Sequence, residues 1–149
     1  MAPTTLPPDF RELLKRLDAR GVEYLLVGGY AVAHHGYPRY TADIDIWVPI
    51  DYRNAEQLAA AVRDFGFDSP EVTPELFLKD KSIVRMGLPP MRIEITTHID
   101  GVEFAPCHAR SVVTEIDGVR VHVIGLEDLK TNKRASGRLK DLADLENLP

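Results

Sequence analysis

The sequence contains one cysteine, Cys107, and no uninterrupted apolar run of the length that a membrane helix requires. A single cysteine excludes an intramolecular disulfide, and without a second thiol it also excludes a zinc site built on thiolates. A membrane helix needs about eighteen or more consecutive apolar residues. The first ten residues also lack the basic and apolar regions of a secretory signal peptide, so we expect a cytoplasmic location and no membrane partner.

An excess of positive charge is missing as well. The chain has 18 lysines and arginines against 23 aspartates and glutamates, which gives a net charge of −5. Broad nucleic-acid binding requires a basic surface, so this balance weighs against it but leaves room for a local basic groove. The chain has 149 residues, of which 44% are hydrophobic and 28% charged. These values are typical of a single compact domain, which we predict over residues 1–149.

The most informative stretch is residues 25–49, LLVGGYAVAHHGYPRYTADIDIWVP. An apolar, partly β-branched run over 22–27 predicts a buried strand that ends at two glycines. Gly28 and Gly29 permit a sharp backbone turn and let a ligand approach main-chain N–H groups at the start of a helix, which attract anions. A strand–helix junction can also need glycines for packing alone, so both interpretations stay open.

Asp43 and Asp45 alternate with Ile44 and Ile46 in the next predicted strand. Side chains two residues apart share a face, so both carboxylates leave one side of the sheet and the isoleucines are buried on the other. Neighbouring carboxylates repel each other, and a divalent cation or a shared proton usually relieves that repulsion. Hard ligands favour one or two Mg²⁺ ions, with Mn²⁺ as an alternative. The other interpretation is a polar outer face of an edge strand.

Arg39 lies in the loop that leads into this strand. Its planar guanidinium matches phosphate oxygens and could contact a triphosphate, but a structural ion pair with Asp43 explains it equally well. His34 and His35 are adjacent, so their side chains point about 100° apart and do not chelate one metal from one helical face. We predict that these histidines lie at a helix end or on the surface.

Helical periodicity marks the N-terminal part and the segment after the second strand. Apolar residues over 10–17 form one stripe of a helix that we expect to end at Gly21. A second stripe, over 58–65, predicts a crossover helix. Two further strands are predicted over 82–86 and 91–96, joined by a turn-rich connection.

Residues 99–104 and 112–123 also have the composition of strands. In the second range, the Asp117-Gly118 pair suits the positive φ angles of a tight type I′ turn and predicts a hairpin. Leucines over 126–148 recur at helical spacing, with Gly137 interrupting the run. The predicted division is an N-terminal helix (1–21), a sheet core (22–124) and C-terminal helices (125–149).

The order of these motifs resembles the signature of the nucleotidyltransferase superfamily. That signature is a glycine pair, a helix and Asp-x-Asp on the next strand, and here thirteen residues separate Gly29 from Asp43. The resemblance continues through 87–95 and 125–141 and covers residues 22–148. The chain is similar to a compact bacterial family related to antibiotic nucleotidyltransferases and to abortive-infection toxin–antitoxin enzymes. The resemblance implies an α/β (α+β) fold in which helices pack on a mixed β-sheet.

The resemblance also implies roles for three acidic residues. Asp43 and Asp45 would be catalytic metal ligands, and Glu94 would be the third carboxylate, on a strand beside them. Many relatives have Asp at that position, so Glu94 is a departure that adds one methylene of reach. The alternative is that Glu94 pairs with Arg92 or Arg85 on a solvent face.

A basic cluster occupies the C-terminal part, where five lysines and arginines fall between positions 130 and 140. A cluster of this kind is usually a solvated helix face. Relatives carry a lysine and a Gly-Arg-x-x-Asp sequence in a helix that closes over the nucleotide. The resemblance therefore implies that Lys133 and Arg138 contact phosphates and that Asp141 orients one of them.

The function implied by the resemblance is metal-dependent transfer of a nucleoside monophosphate from a nucleoside triphosphate, such as ATP, to an unidentified acceptor hydroxyl. The acceptor could be a small molecule, an RNA end or a protein, and a second subunit or a protein partner could complete its pocket. Two alternatives are a toxin–antitoxin partner protein and a catalytically silent nucleotide-binding protein of the same fold.

Overall fold

The computed structural model describes residues 6–87 and 92–149. Its first element is helix α1, Pro8–Ala19, which begins with a proline and has Asp9 in its first turn. Both features suit a helix N-terminus. The predicted stripe of Phe10, Leu13, Leu14 and Leu17 is buried, and Gly21 follows the helix with a φ of 64°. The N-terminal helix predicted from periodicity is therefore confirmed.

Strand β1 (Leu25–Val27), helix α2 (Gly28–His34) and strand β2 (Asp43–Trp47) follow. Strand β1 is shorter than the predicted 22–27, because only its last three residues pair with neighbouring strands. It runs antiparallel to β2, with Val27 opposite Asp45. This pairing brings the glycine bend to the acidic strand.

Helix α3, Tyr52–Phe65, is the predicted crossover, and the Asp51 side chain caps it by accepting from the Asn54 N–H. After a 3₁₀ turn at Pro74–Phe77 come strands β3 (Ile83–Met86) and β4 (Arg92–Thr96). Strand β4 runs parallel to β2 and antiparallel to β3. Part of the predicted turn between β3 and β4, and Met91 of the predicted strand, lie outside the described residues.

Residues 99–104 were predicted as a strand, but this prediction is wrong. Helix α4, Phe104–Ala109, begins inside that range, and the residues before it form a loop. Gly101 has a φ of 82°, and a Cβ added there would lie 2.6 Å from the Ala135 Cβ. A positive φ and a close approach by another helix are incompatible with a regular strand.

Strands β5 (Val112–Ile116) and β6 (Val119–Val123) form the predicted hairpin. Asp117 and Gly118 have φ angles of 52° and 80°, as a type I′ turn requires. Strand β6 pairs with β1 in parallel, so the described residues form one mixed sheet in the order β3-β4-β2-β1-β6-β5. A mixed sheet with helices packed on it confirms the predicted fold class.

Helices α5 (Leu126–Ser136) and α6 (Leu139–Asn147) end the chain, and Gly137 separates them in a left-handed conformation. The helices are as predicted, but the leucine spacing does not mark the inner face of α6. Leu139 is 86% exposed, whereas Asp141 and Asp144 are buried. No helix within residues 6–87 and 92–149 is both long enough and apolar enough to cross a membrane.

Candidate functional site

Three carboxylates share one face of the sheet. Asp43 and Asp45 alternate on β2 with isoleucines that are completely buried on the opposite side. Because β2 and β4 are parallel and in register, Glu94 lies directly opposite Asp45. The alternation predicted from the sequence is therefore present, and the strand pairing brings the third acid beside it.

Glu94 and Asp43 lie close enough to Asp45 to change its ionisation. The pKa of Asp45 is raised from 3.8 to about 7. Burial is the largest cause, followed by the charge of Glu94 and a hydrogen bond with it, and then by the charge of Asp43; Lys140 acts in the opposite direction. Ionised carboxylates in such a site repel one another, and a bound cation would relieve that repulsion.

This pKa shift predicts how Asp45→Asn changes stability with pH. Between about pH 4 and pH 7 folded Asp45 keeps a proton that the unfolded chain releases, so the free energy of unfolding falls as pH rises through this window. The substitution removes that effect. We expect it to stabilise the metal-free protein by about 2–4 kcal/mol at about pH 8, with a smaller gain at about pH 5. Urea denaturation across this range measures the difference, and a gain independent of pH would contradict the prediction.

The two glycines are required because the acidic strand and its approach loop lie directly against them. Gly28 has a φ of 68°, and a Cβ at this position would overlap the Asp45 carboxylate. A Cβ at Gly29 would lie 2.7 Å from the Thr41 Cβ. The packing interpretation of the glycine pair therefore holds, and it places the backbone bend next to the acids.

Gly28→Ala should disturb the site, and Gly21→Ala provides a matched control. Both glycines have left-handed φ angles, 68° and 64°, but Gly21 has no heavy atom within 4 Å of an added Cβ. Each substitution should cost about 1–2 kcal/mol for the backbone conformation. Only Gly28→Ala should cost more and also displace Asp45. Denaturation curves together with Mn²⁺ titrations distinguish the two variants; equal effects would mean that contact with Asp45 is unimportant.

Two arginines, Arg85 and Arg92, form ion pairs with the acids. The Arg85 Nε donates to Glu94 Oε1 at 3.0 Å, and the Arg92 Nη2 donates to Asp43 Oδ2 at 3.5 Å. The Arg92 Nε lies 3.9 Å from Glu94 Oε1 and is buried without a hydrogen-bond partner among the described residues. The alternative interpretation of Glu94, as an ion-pair partner of these arginines, is therefore also present.

The fit of these residues to Mg²⁺ is partial. Within the described ranges, no three acidic, histidine or cysteine side chains are gathered closely enough to form a metal site as they stand. Asp43 and Asp45 do provide hard oxygen ligands on one face, as Mg²⁺ prefers. Glu94 would have to exchange Arg85 and Arg92 for the metal. The donor set therefore fits a cation held by two carboxylates better than one held by three.

Arg39 has a different partner from the one considered in the sequence. It forms a two-pronged ion pair with Asp144 of α6, with Nε to Oδ1 at 2.7 Å and Nη2 to Oδ2 at 2.9 Å. The predicted alternative of a pair with Asp43 is wrong, because the C-terminal helix brings a buried carboxylate to the loop. The interaction fastens the loop before β2 to α6.

Lys133 lies at the centre of the same arrangement. It is only 4% exposed, and its Nζ lies 3.1 Å from both Asp141 Oδ1 and Asp144 Oδ2. Arg138 then binds Asp141 through Nε at 2.8 Å. We call Arg39, Asp144, Lys133, Asp141 and Arg138 the ion-pair chain. The ion-pair chain extends from the loop before β2 to α5 and α6. Within it, Asp141 binds and orients both Lys133 and Arg138.

The pKa values of the acids reflect this chain. Burial alone would raise the pKa of Asp141, but the hydrogen bonds from Arg138 and Lys133 together with their positive charges outweigh it and lower the pKa. The same balance, with Arg39 and Lys133 as donors, lowers the pKa of Asp144. Both carboxylates are therefore ionised near neutral pH, and the ammonium of Lys133 is shared between them.

A cavity of about 660 Å³ opens over the acids. Of the residues predicted for the site, all except the buried Asp141 line it. Several other residues that line the cavity, among them Thr41, Lys81 and Lys140, were given no site role from the sequence. Of these three, only Lys140 could have been suspected, because it belongs to the basic cluster. The cavity is lined by seven basic and four acidic side chains: Arg39, Lys81, Arg85, Arg92, Lys133, Arg138 and Lys140 against Asp43, Asp45, Glu94 and Asp100. An acidic protein therefore has a basic cavity.

Comparison with known families gives a match over residues 8–148. The matching family is described as nucleotidyl transferase of unknown function (DUF2204). No curated protein matches the chain significantly. The family match agrees with the resemblance seen in the sequence motifs.

Solved structures of similar fold carry related descriptions. A candidate nucleotidyltransferase from Thermotoga maritima is 18% identical, with a TM-score of 0.59 over 92% of this chain and 88% of its own. An antigenic nucleotidyltransferase-like protein from Paracoccidioides brasiliensis is 17% identical, with a TM-score of 0.58 over 97% and 77%. The antibiotic-resistance factor ANT(2'')-Ia is 16% identical, with a TM-score of 0.60 over 93% and 79%. At these identities the likeness shows a shared fold.

Proposed function

Because the chain belongs to the family of nucleotidyl transferases of unknown function, we propose that it moves a nucleoside monophosphate from a nucleoside triphosphate to an acceptor hydroxyl. One observation carries this proposal. Asp43, Asp45 and Glu94 share a sheet face beside the Gly28 bend, at the wall of a cavity rich in basic residues. The acids suit a cation, and the basic residues suit phosphate.

The triphosphate would lie between the glycine bend and the basic residues of the cavity. Arg138 and Lys140 begin α6 and both line the cavity, and Lys81 and Arg85 line it from the β3 side. Positive groups fixed where negative charge develops usually make the largest single contribution to catalysis of such a transfer. Arg39 and Lys133 would act mainly through the ion-pair chain, because their charged groups already have buried partners.

Asp43 and Asp45 are the residues that would hold Mg²⁺, as one or two ions. When bound, the metal would neutralise phosphate charge and polarise the phosphoryl group under attack. The family resemblance assigns Glu94 as a third ligand or as a base. Because Arg85 and Arg92 occupy Glu94, we assign the metal to the two aspartates and the base role to Glu94. An ion pair makes a carboxylate a weaker base, so Glu94 would have to exchange these arginines for the acceptor hydroxyl.

The reaction balances without another reagent. The acceptor hydroxyl oxygen forms a bond to the α-phosphorus, and the bond from that phosphorus to the bridging oxygen of the β-phosphate breaks. Pyrophosphate leaves with the electron pair, and the hydroxyl proton passes to a Glu94 carboxylate oxygen. The chain supplies mainly position and charge for this step. For the fold neighbour ANT(2'')-Ia, a structure in complex with adenylyl-2''-tobramycin is consistent with chemistry of this kind.

The test uses one nucleotide carrying label in two positions. The protein is incubated with Mg²⁺ and small-molecule, RNA or protein fractions of a cell extract. Transfer predicts that label from the α-phosphate enters an acceptor while label from the γ-phosphate appears in pyrophosphate. Hydrolysis to inorganic phosphate, or absence of turnover despite bound nucleotide, would contradict it. Purification with a bound protein partner would instead favour the toxin–antitoxin alternative.

One observation favours a second function, a catalytically silent nucleotide-binding protein. Arg85 and Arg92 are already paired with Glu94 and Asp43, so the acids have counterions without a metal. That function predicts calorimetric ATP binding that is not followed by Mg²⁺-dependent turnover. Turnover that requires Mg²⁺ would exclude it.

A further inference from the structure

A second cavity, of about 570 Å³, shares the loop formed by residues 97–103 with the first cavity. His98, Ile99 and Asp100 of this loop line the first cavity. Thr97, His98, Val102 and Glu103 line the second, so His98 belongs to both. The volume of the second cavity falls within the range of small-molecule sites.

The second cavity begins a short distance along the same sheet face as the acids. Trp47, in its wall, follows Asp45 by two residues on β2 and therefore points to the same side. Two residues of a strand span about 7 Å. Trp47 pairs with Thr96 of β4, which lines the first cavity. A ligand of the second cavity would thus lie beside the proposed triphosphate site.

The two cavities differ in charge. The first is rich in lysine and arginine. The second is lined by two carboxylates, Glu23 and Glu103, and the described residues of its lining include no lysine or arginine. Both glutamates are exposed. This cavity would repel a triphosphate and attract an organic cation.

The wall also contains aromatic rings and a buried indole donor. Phe104 meets Trp47 edge to face at 5.2 Å and stacks on His108 at 5.4 Å. Aromatic faces bind cations and the apolar faces of ring-shaped ligands. Trp47 is 2% exposed, and its indole Nε1 has no hydrogen-bond partner within the described part of the chain. The polar and aromatic lining together suits a ligand with both charge and hydroxyl groups.

We propose that the second cavity binds the acceptor and that the acceptor is a hydroxyl-bearing organic amine. This proposal rests on the transfer function proposed above and names its substrate class. The protonated amine lies near Glu23 and Glu103 and takes no part in bond formation. Its hydroxyl reaches past His98 to the α-phosphorus, where the bonds form and break as already described.

The experiment uses the only tryptophan in the chain as a reporter, since Trp47 lies in the wall of this cavity. Glucosamine and glucose are the probes, because they share a ring and hydroxyls but only glucosamine carries a cationic amine. Tryptophan emission is titrated with each sugar in the presence of Mg²⁺ and a non-hydrolysable ATP analogue. We expect glucosamine to bind at least about five-fold more tightly than glucose, and less tightly as salt is raised.

Matched variants connect this preference to the cavity. Glu103→Gln and Glu23→Gln should each reduce the preference for glucosamine by about three-fold, whereas Glu56→Gln, an exposed change on α3, should leave it unchanged. Binding of the ATP analogue should be unaffected in all three. If the analogue binds but the two sugars behave alike, or if neither cavity variant alters the preference, the acceptor assignment is overturned. If the analogue does not bind the unaltered protein, the transfer function falls and the acceptor role falls with it.

Discussion

Asp43→Asn should reduce Mg²⁺-dependent nucleotidyl transfer by about 10³-fold or more. The substitution replaces one of the two carboxylates proposed as metal ligands with a neutral amide, which is a poorer ligand for a hard cation. Loss of a metal contact that stabilises the transition state by several kcal/mol corresponds to an effect of this size. Transfer of label from the α-phosphate measures it.

Asp68→Asn is the control for Asp43→Asn. Asp68 lies in an exposed loop and is absent from the linings of both cavities, so the same chemical change there should leave transfer unchanged. Mn²⁺ binding, followed by the relaxation rate of water protons, gives a readout independent of turnover. It should weaken only in Asp43→Asn. Transfer within ten-fold of the unaltered protein would show that Asp43 is not a metal ligand in the reaction.

Lys133→Met should destabilise the fold by about 3–5 kcal/mol. The Lys133 ammonium lies 3.1 Å from carboxylate oxygens of both Asp141 and Asp144, and all three residues are buried. Without this lysine, Asp144 keeps only Arg39 and Asp141 keeps only Arg138, and both arginines are more exposed than Lys133. Removing the buried cation of such a network has a cost of this size. Urea denaturation near neutral pH measures the loss.

Lys130→Met is the matched control, one helical turn earlier on α5. Its nearest carboxylate, Glu127, is 3.8 Å away and largely exposed, so the substitution should cost less than about 1 kcal/mol. Adding Asp141→Asn and Asp144→Asn to Lys133→Met should not restore the stability, because Arg39 and Arg138 then lose their carboxylate partners. If Lys133→Met instead lowered ATP affinity while stability stayed normal, Lys133 would be the phosphate ligand that the family resemblance implied.

Local patterns determined a large part of the fold. The period of two in DIDIW put both aspartates on one face, and the spacing of Phe10 to Leu17 gave α1. The pair Asp117-Gly118 marked the hairpin. Each of these signals depends on backbone geometry within a few residues, so it can be read without knowing what lies across the sheet.

Partners distant in the sequence were decided by the tertiary structure. Arg39 pairs with Asp144, 105 positions away, and nothing in the spacing of either residue indicates this. The family resemblance implied that Lys133 and Arg138 contact phosphates. The arrangement of α5 and α6 adds a relation that the sequence did not indicate, because it turns Asp141 and Asp144 inward to meet Lys133. In a helix the apolar stripe usually faces inward, and α6 departs from this because its buried face carries an ion network.

Three features of this site can be recognised in the chain alone: the glycine bend, the two alternating aspartates and the cluster of basic residues. Which of these residues meet depends on how the elements pack. Parallel pairing in register brings Glu94 to Asp45, and helix packing assigns buried carboxylates to Lys133 and Arg39. The reason is physical: the direction of a side chain along a strand follows from local geometry, whereas strand register and charge pairing depend on how remote segments pack together.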